Sequence, residues 1–387
     1  MKFAKLLVSC SKSKCLSRNF YQDCNPPCPP TSRPLTVALT GVNSRVGQIT
    51  SLVLKQCQFI DQLNVFDYTD GPYGISVDLG HIDTNTKITG YTGLDCLREA
   101  VTGANVVVIC GGEPQKPIQN DRELFKLNAD YVRNVALHTA EFNPHAIICV
   151  STPPVAAMVP LISEEYKRAE VYNARKIIGI TTLGSSRANS IIGQYAQKDP
   201  QTINCPLVGA DRSNTIVPVL SQTEVGVKLP KPAVELLHNQ ICKAEDEALV
   251  KKYTENSGPC AISAAYATSK FVISVVRGLL DIFYGVECAY VRQVGHCGVF
   301  LPYMTSVVKL GLEGVQSIHM PFISEQECEK LQKAAKVIRK QIKWGESYIT
   351  GELLEKKRRT RRPLHTCEII KIERQTRIGD AAFNKEH

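Results

Sequence analysis

From residue 35 onward, apolar runs alternate with stretches that are apolar on one side only. "LTVALTG" is an apolar run that ends in glycine, and a helix-like segment follows from about 46 to 58. "LNVFDYTD" is a second strand, closed by an acid. "ANVVVICGG" (104–112) and "HAIICVST" (145–152) are continuous apolar runs of strand length. Such runs suit strands covered on both faces. Between them, 121–142 sets Leu124, Leu127, Tyr131, Val132 and Val135 at helical spacing. Strand–helix alternation of this kind predicts a doubly wound parallel sheet.

The second half changes character. The pattern predicts a helix near 184–198 and strands near 204–209 and 215–226. Long helices near 231–253 and 258–282, strand-like runs over 286–304 and a last helix over 323–347 follow. This mixed order reads as a separate α+β domain. The expected division is an N-terminal arm over 1–34, a doubly wound domain over 35–180, an α+β domain over 181–350 and a tail over 351–387. A length of 387 residues with 43% hydrophobic content supports two cores of that size. Ligands of doubly wound sheets sit at the carboxyl ends of the strands, so the cleft is expected between the halves. No apolar run reaches the roughly 18–20 residues that a bilayer span needs.

Charge changes the picture only at the ends. The net charge is +9, and residues 1–34 and 351–387 together account for all of it. The body is near neutral and gives no reason to expect nucleic acid there. The first 33 residues are basic, Ser-rich and nearly free of acid, which resembles a mitochondrial transit peptide. A plain N-terminal arm is the alternative, with cytoplasmic residence. Cys24 and Cys28 in "CNPPCPP" lack a partner pair at ligand spacing, so no metal is expected. The tail contains "KKRRTRR" (356–362), which reads as a solvated segment or as a contact for an acidic surface. The fifteen cysteines are odd in number, and several fall inside apolar runs, as a reducing compartment would allow.

"TVALTGVNSRVGQ" places Gly41 and Gly47 six apart, after a strand and opening a helix. Gly41 permits the tight turn and Gly47 close helix–strand packing. Between them, where a third glycine would let backbone approach a pyrophosphate, stands Ser44. Its hydroxyl is a candidate donor to phosphate. Asp67 ends the second strand, placed to accept ribose hydroxyls. Together these predict a Rossmann-type NAD site, or the same turn kept for folding alone.

"LVGADRSNTIVP" (207–218) sets an acid–base pair, Asp211–Arg212, at a break between two strands. Together with "DLGHIDT", "VTGANVVVICGGEPQKP", "DRELFKLNADYVRNVA", "IGITTLGSSRAN" and "AAYATSKFV", it resembles mitochondrial-type malate dehydrogenases of the lactate/malate dehydrogenase family, from about 35 to 350. The resemblance implies an NAD domain, a catalytic α+β domain and a homodimer. It also implies hydride transfer from NADH to a 2-keto dicarboxylate, with a histidine giving the proton and arginines holding the carboxylates. This chain departs from that set position by position. Asp211 stands where the family has its histidine, and Gly184 where it has the orienting aspartate. Gln115 and Asp121 stand at two substrate arginines, Pro153 at the asparagine near the nicotinamide and Ala264 at a methionine. Arg187, Asn128, Asp67 and the two glycines match, and Ser151 falls at the cofactor edge. Arg187 reads as the surviving substrate cation or as half of a structural ion pair.

A histidine with a pKa near 6.5 gives and takes a proton at neutral pH, whereas an ordinary aspartate, near 3.9, has none to give. Asp121 and Asp211 bring two anions to a cleft built for a dianion. Burial of Asp211, or Arg122 reaching inward, would be a rescue. The sequence therefore predicts a malate dehydrogenase fold without the family's catalytic set, acting as a binding or structural dimer. The alternatives are a working NAD-dependent oxidoreductase on malate or a related 2-hydroxy acid, and a polyanion-binding protein acting through its tail.

Overall fold

The computed structural model describes residues 34–360 apart from 118, 256–258 and 283–284. The leader, Cys24, Cys28 and the tail beyond 360 lie outside the described residues.

Six short strands form the first half of the sheet: β1 (Thr36–Thr40), β2 (Gln62–Asp67), β3 (Lys87–Thr92), β4 (Val106–Ile109), β5 (Ile147–Val150) and β6 (Ile177–Ile180). All are parallel, in the order β3-β2-β1-β4-β5-β6. The strand order reverses between β1 and β4, the place where a doubly wound sheet opens a crevice. β1 and β4 are buried throughout, as their unbroken apolar runs require. Helices α1 (Arg45–Lys55), α2 (Pro72–Gly80), α3 (Leu97–Val101), α4 (Asp121–Phe142) and α5 (Val155–Arg168) cover the two faces. α4 begins where Asn120 accepts the Glu123 N–H at 2.9 Å, with acids in its first turn. Its buried stripe runs through Leu124, Val132 and Val135. Leu127 does not belong to that stripe: it is 55% exposed, because it sits on the flank of the helix that faces the cleft.

The second half continues the same sheet instead of starting another. It comprises α6 (Thr182–Ala196), β7 (Leu207–Gly209), β8 (Ile216–Pro218), α7 (Lys231–Thr254), α8 (Ile262–Leu279), β9 (Val286–Arg292), α9 (Gly295–Phe300), β10 (Tyr303–Gly311), β11 (Gly314–His319) and α10 (Glu325–Thr360). β6 pairs antiparallel with β9, Gly179 opposite Tyr290, so one eleven-stranded sheet crosses both halves. The expected strand over 215–226 stops at Pro218. Past it, Thr223 Oγ1 donates to the Leu220 carbonyl and accepts the Gly226 N–H, which favours tight turns over a strand. The run over 286–304 is broken by α9, entered at Gly295 with φ +61°. α10 extends past the expected end at 347. It starts in a reciprocal cap between Ser324 and Glu327, at 2.7 Å from the Ser324 N–H to the carboxylate. The ten described cysteines are all unpaired.

Candidate active site

A cleft of about 590 Å³ follows the carboxyl ends of the central strands and reaches the second half. Ser44, Asp67, Tyr68 and Leu127 line one end; Arg187, Asp211, Gly184 and Ala264 line the other. Gln115, Ser151 and Pro153 line it as well. Nine sequence-predicted residues thus share one cavity.

The dinucleotide loop is built from backbone proximity. Gly41 has φ +86°, and a Cβ there would fall 2.2 Å from Gly111 Cα. A Cβ on Gly47 would fall 2.2 Å from the Gly41 carbonyl oxygen. Neither position tolerates a side chain. Both glycines shape the turn from behind the cleft wall. Ser44 caps α1: its hydroxyl accepts the Gly47 N–H at 3.0 Å and donates to the Gly41 carbonyl at 2.7 Å. Its proton is therefore committed to the turn, which corrects the expectation of a phosphate donor. First-turn N–H groups of a helix have no intrahelical acceptor, and Arg45 and Val46 of that turn line the cleft. Asp67 is held by the N–H groups of Asn43 (2.9 Å) and Tyr68 (2.8 Å), one on each oxygen. Each oxygen keeps a lone pair for a ligand hydroxyl. Tyr68 and Tyr131 pack edge to face at 5.1 Å beside it. These residues fit a dinucleotide: an anion-binding helix start, an acceptor at the end of β2 and an aromatic wall.

Asn128 does not line the cleft. It is fully buried, accepts the Glu113 N–H at 2.6 Å and donates to the carbonyls of Glu113 (3.2 Å) and Pro153 (2.9 Å). It ties Glu113 to the Pro153 turn. Ser151 shares a 2.8 Å hydrogen bond with Thr268 across the cleft floor.

The far end is a network of charges. Arg212 turns inward and is 5% exposed. Its Nε lies 3.2 Å from Asp121 Oδ1, and its Nη1 lies 3.2 Å from Glu245 Oε1. Arg187 Nη1 lies 3.2 Å from Glu245 Oε2. Gln341 on α10 donates to Asp121 Oδ2 at 2.8 Å. Asp121 lies behind Arg212, where it borders a second, polar cavity of about 390 Å³. Arg122 is exposed and lines neither cavity, which removes one of the two rescues. Glu245, Thr268 and Gln341 carry no sequence signal: Glu245 is one of three acids in "KAEDEA", and helical spacing does not say which faces a cleft.

Asp211 sits on the cleft wall. Its Oδ2 accepts the Val155 N–H at 3.2 Å, and its Oδ1 is buried without a partner. Burial, with Glu245 and Asp121 adding to it and Arg212 opposing it, pushes its pKa up to about 6. That value lies above the roughly 3.9 of an unfolded chain. The folded state therefore holds the proton over the window between, and stability falls as pH rises from about 4 to about 6. Asp211→Asn is expected to be more stable than wild type by about 1–2 kcal/mol at pH 8, the gain closing near pH 4. Urea melts at the two pH values check this.

Gly184 faces two side chains where an aspartate would project. A Cβ there would fall 2.5 Å from Ile216 Cδ1 and 2.9 Å from Leu207 Cδ1.

A doubly wound dinucleotide domain joined through its sheet to an α/β half, with a charged cleft at the junction, defines a two-domain dehydrogenase-type fold. Residues 35–179 match the NAD-binding domain of lactate/malate dehydrogenase, and residues 181–349 match the alpha/beta C-terminal domain of the same family. The chain belongs to the lactate/malate dehydrogenase family. It is 33% identical over 315 residues to mitochondrial malate dehydrogenase of Homo sapiens, covering 81% of this chain and 91% of that protein. It is 34% identical over 316 residues to malate dehydrogenase of Edwardsiella ictaluri, covering 81% and 99%. Among solved structures, lactate dehydrogenase from Cryptosporidium parvum, complexed with lactic acid and nicotinamide adenine dinucleotide, superimposes with a TM-score of 0.71 at 19% identity, over 82% of this chain and 99% of that one.

Proposed function

We propose that this protein binds NAD or NADH as a homodimer and has lost the family's malate–oxaloacetate catalysis. What supports the reading is the surroundings of the two relay positions. Asp211 stands at the proton-donor post, anchored to Val155, and the space behind Gly184 is filled by Ile216 and Leu207. Dinucleotide binding is supported by the first turn of α1, by Asp67 and by the size of the cleft. When bound, the nicotinamide would supply a hydride; this chain's residues would seat it beside Ser151 and Ala264. A dimer is supported by exposed apolar side chains on neighbouring helices, namely Leu52 on α1, Tyr73 and Val77 on α2, and Tyr266 on α8. The basic leader and the mitochondrial relatives support residence in the mitochondrial matrix. The tail supports contact with an acidic surface.

Calorimetric titration tests the reading. NADH is expected to bind saturably, oxaloacetate to leave that binding unchanged, and no oxaloacetate-dependent NADH loss to appear above blank. Turnover near that of an ordinary dehydrogenase would overturn it.

One observation favours a second reading, a working oxidoreductase on malate or a related 2-hydroxy acid. A carboxyl with a pKa of about 6 is partly protonated near neutrality and has a proton to give. That reading requires saturable turnover that Asp211→Asn abolishes.

A further inference from the structure

Arg187 keeps the place of a substrate-holding cation, and the structure shows what that cation holds. The carboxylate of Glu245 sits between two guanidiniums, one oxygen 3.2 Å from Arg187 Nη1 and the other 3.2 Å from Arg212 Nη1. All three residues line the cleft. A carboxylate bridging two arginines inside a ligand cavity is the arrangement a carboxylate ligand would adopt there. We propose that Glu245 is the resident anion of this pocket. Tethered on α7, it fills the seat of a ligand carboxylate and restricts the remaining cleft to ligands that bring no carboxylate to that end: neutral carbonyl or hydroxyl compounds, or amines. The inference rests on the loss of dicarboxylate turnover proposed above and names its cause at the binding step.

Charge and tethering both support it. At this end of the cleft Arg187 and Arg212 already have Glu245 and Asp211 beside them on the lining and Asp121 behind Arg212, so the cations are outnumbered. A further anion would have to displace a carboxylate that is attached to the protein. A short tether gives an effective concentration of millimolar or more, which a free metabolite at similar concentration does not overcome without better contacts. The partners are mostly buried, with side-chain exposures of 17% for Arg187, 7% for Arg212 and 21% for Glu245, so solvent screens the bridge weakly. Asp211 Oδ1, buried without a partner on the same wall, is an acceptor that a ligand hydroxyl or amine would satisfy.

The test uses malonate, an unreactive dicarboxylate, titrated calorimetrically into the full-length protein with NADH present and absent. Wild type is expected to show no saturable binding at millimolar malonate. Glu245→Ala is expected to gain at least about tenfold in affinity. Glu245→Gln should fall between the two, because its carbonyl still accepts from both arginines. The gain should vanish when Arg187→Gln is added to the alanine variant. Glu245→Gln is isosteric and supplies the reading on its own if the alanine variant does not fold. Variants that fold and bind malonate no better than wild type would overturn the proposal, as would tight malonate binding by wild type. Oxaloacetate turnover by wild type would instead sink the function proposed above. Inactivity without any gain in the variants sinks this inference alone.

Discussion

Arg212→Met is expected to cost about 3–5 kcal/mol of stability, the range for removing one partner from a buried ion pair. Arg212 is almost wholly buried and lies 3.2 Å from both Asp121 and Glu245. Methionine fills much of the arginine's volume, so the loss is electrostatic and not a packing defect. It leaves two carboxylates, with Asp211 beside them, sharing a half-buried wall with Arg187 as the remaining cation of the network. Neutralising the carboxylates should therefore recover most of the loss: Arg212→Met combined with Asp121→Asn and Glu245→Gln is expected to approach wild type. Such non-additivity marks groups that act as one network. Urea melts of the single and triple variants at pH 7 read it, and a loss under 1 kcal/mol in the single variant would show that Arg212 is replaceable.

Returning the family's histidine at position 211 is expected to leave oxaloacetate reduction undetectable. An imidazole does this chemistry only when something holds it in the right tautomer and orientation. The family resemblance puts that partner at position 184, where a Cβ would fall 2.5 Å from Ile216 Cδ1 and 2.9 Å from Leu207 Cδ1. Adding Gly184→Asp would press the new side chain against these two apolar ends, so Ile216 and Leu207 must move before a carboxylate can take its place. On the function proposed above, substrate binding is expected to fail independently, since Gln115 and Asp121 supply no cation and Arg187 is bridged to Glu245. Losses of this kind multiply, each worth about 10²–10⁴ in rate. Asp211→His should thus stay at least about 10⁴-fold below an ordinary dehydrogenase in a coupled NADH absorbance assay. Recovery to within about 100-fold from that single change would show the relay to be intact.

How legible the molecule was depends on the distance over which each feature is encoded. β1, α1 and β2 are written locally: an apolar run, two glycines, a capping serine and a terminal acid all lie within 36–67. α4 is bounded by its own Asn120 cap. β3 reads poorly because it is an edge strand of mixed exposure, "KITGYT", with no strong alternation. α5 is obscured by Pro153, Pro154 and the internal Pro160. The pairing of Gly179 with Tyr290 joins residues more than a hundred apart, and no local pattern announces it. The site divides the same way. Asp211, Gly184, Gln115 and Arg187 were visible because motifs fix their positions. That Arg212 points inward depends on the turn closed by Thr215, whose Oγ1 accepts the Arg212 N–H at 3.1 Å. That Glu245 meets two arginines depends on how α7 lies against α6, which is a tertiary fact.

The pairing of β6 with β9 constrains how the cleft can change shape. Proteins that clamp a ligand by swinging two lobes need a pliable waist of loops between them. Here the waist includes a short strand pairing inside a shared sheet, Gly179 opposite Tyr290 and Ile180 opposite Ala289. Opening it like a jaw would break that pairing, so the sheet resists a hinge at this point. Ligand entry and exit fall to what stands on that sheet: residues 112–115, the C-terminal half of α7 with Glu245 and Leu249, and the rotamers of a few long side chains.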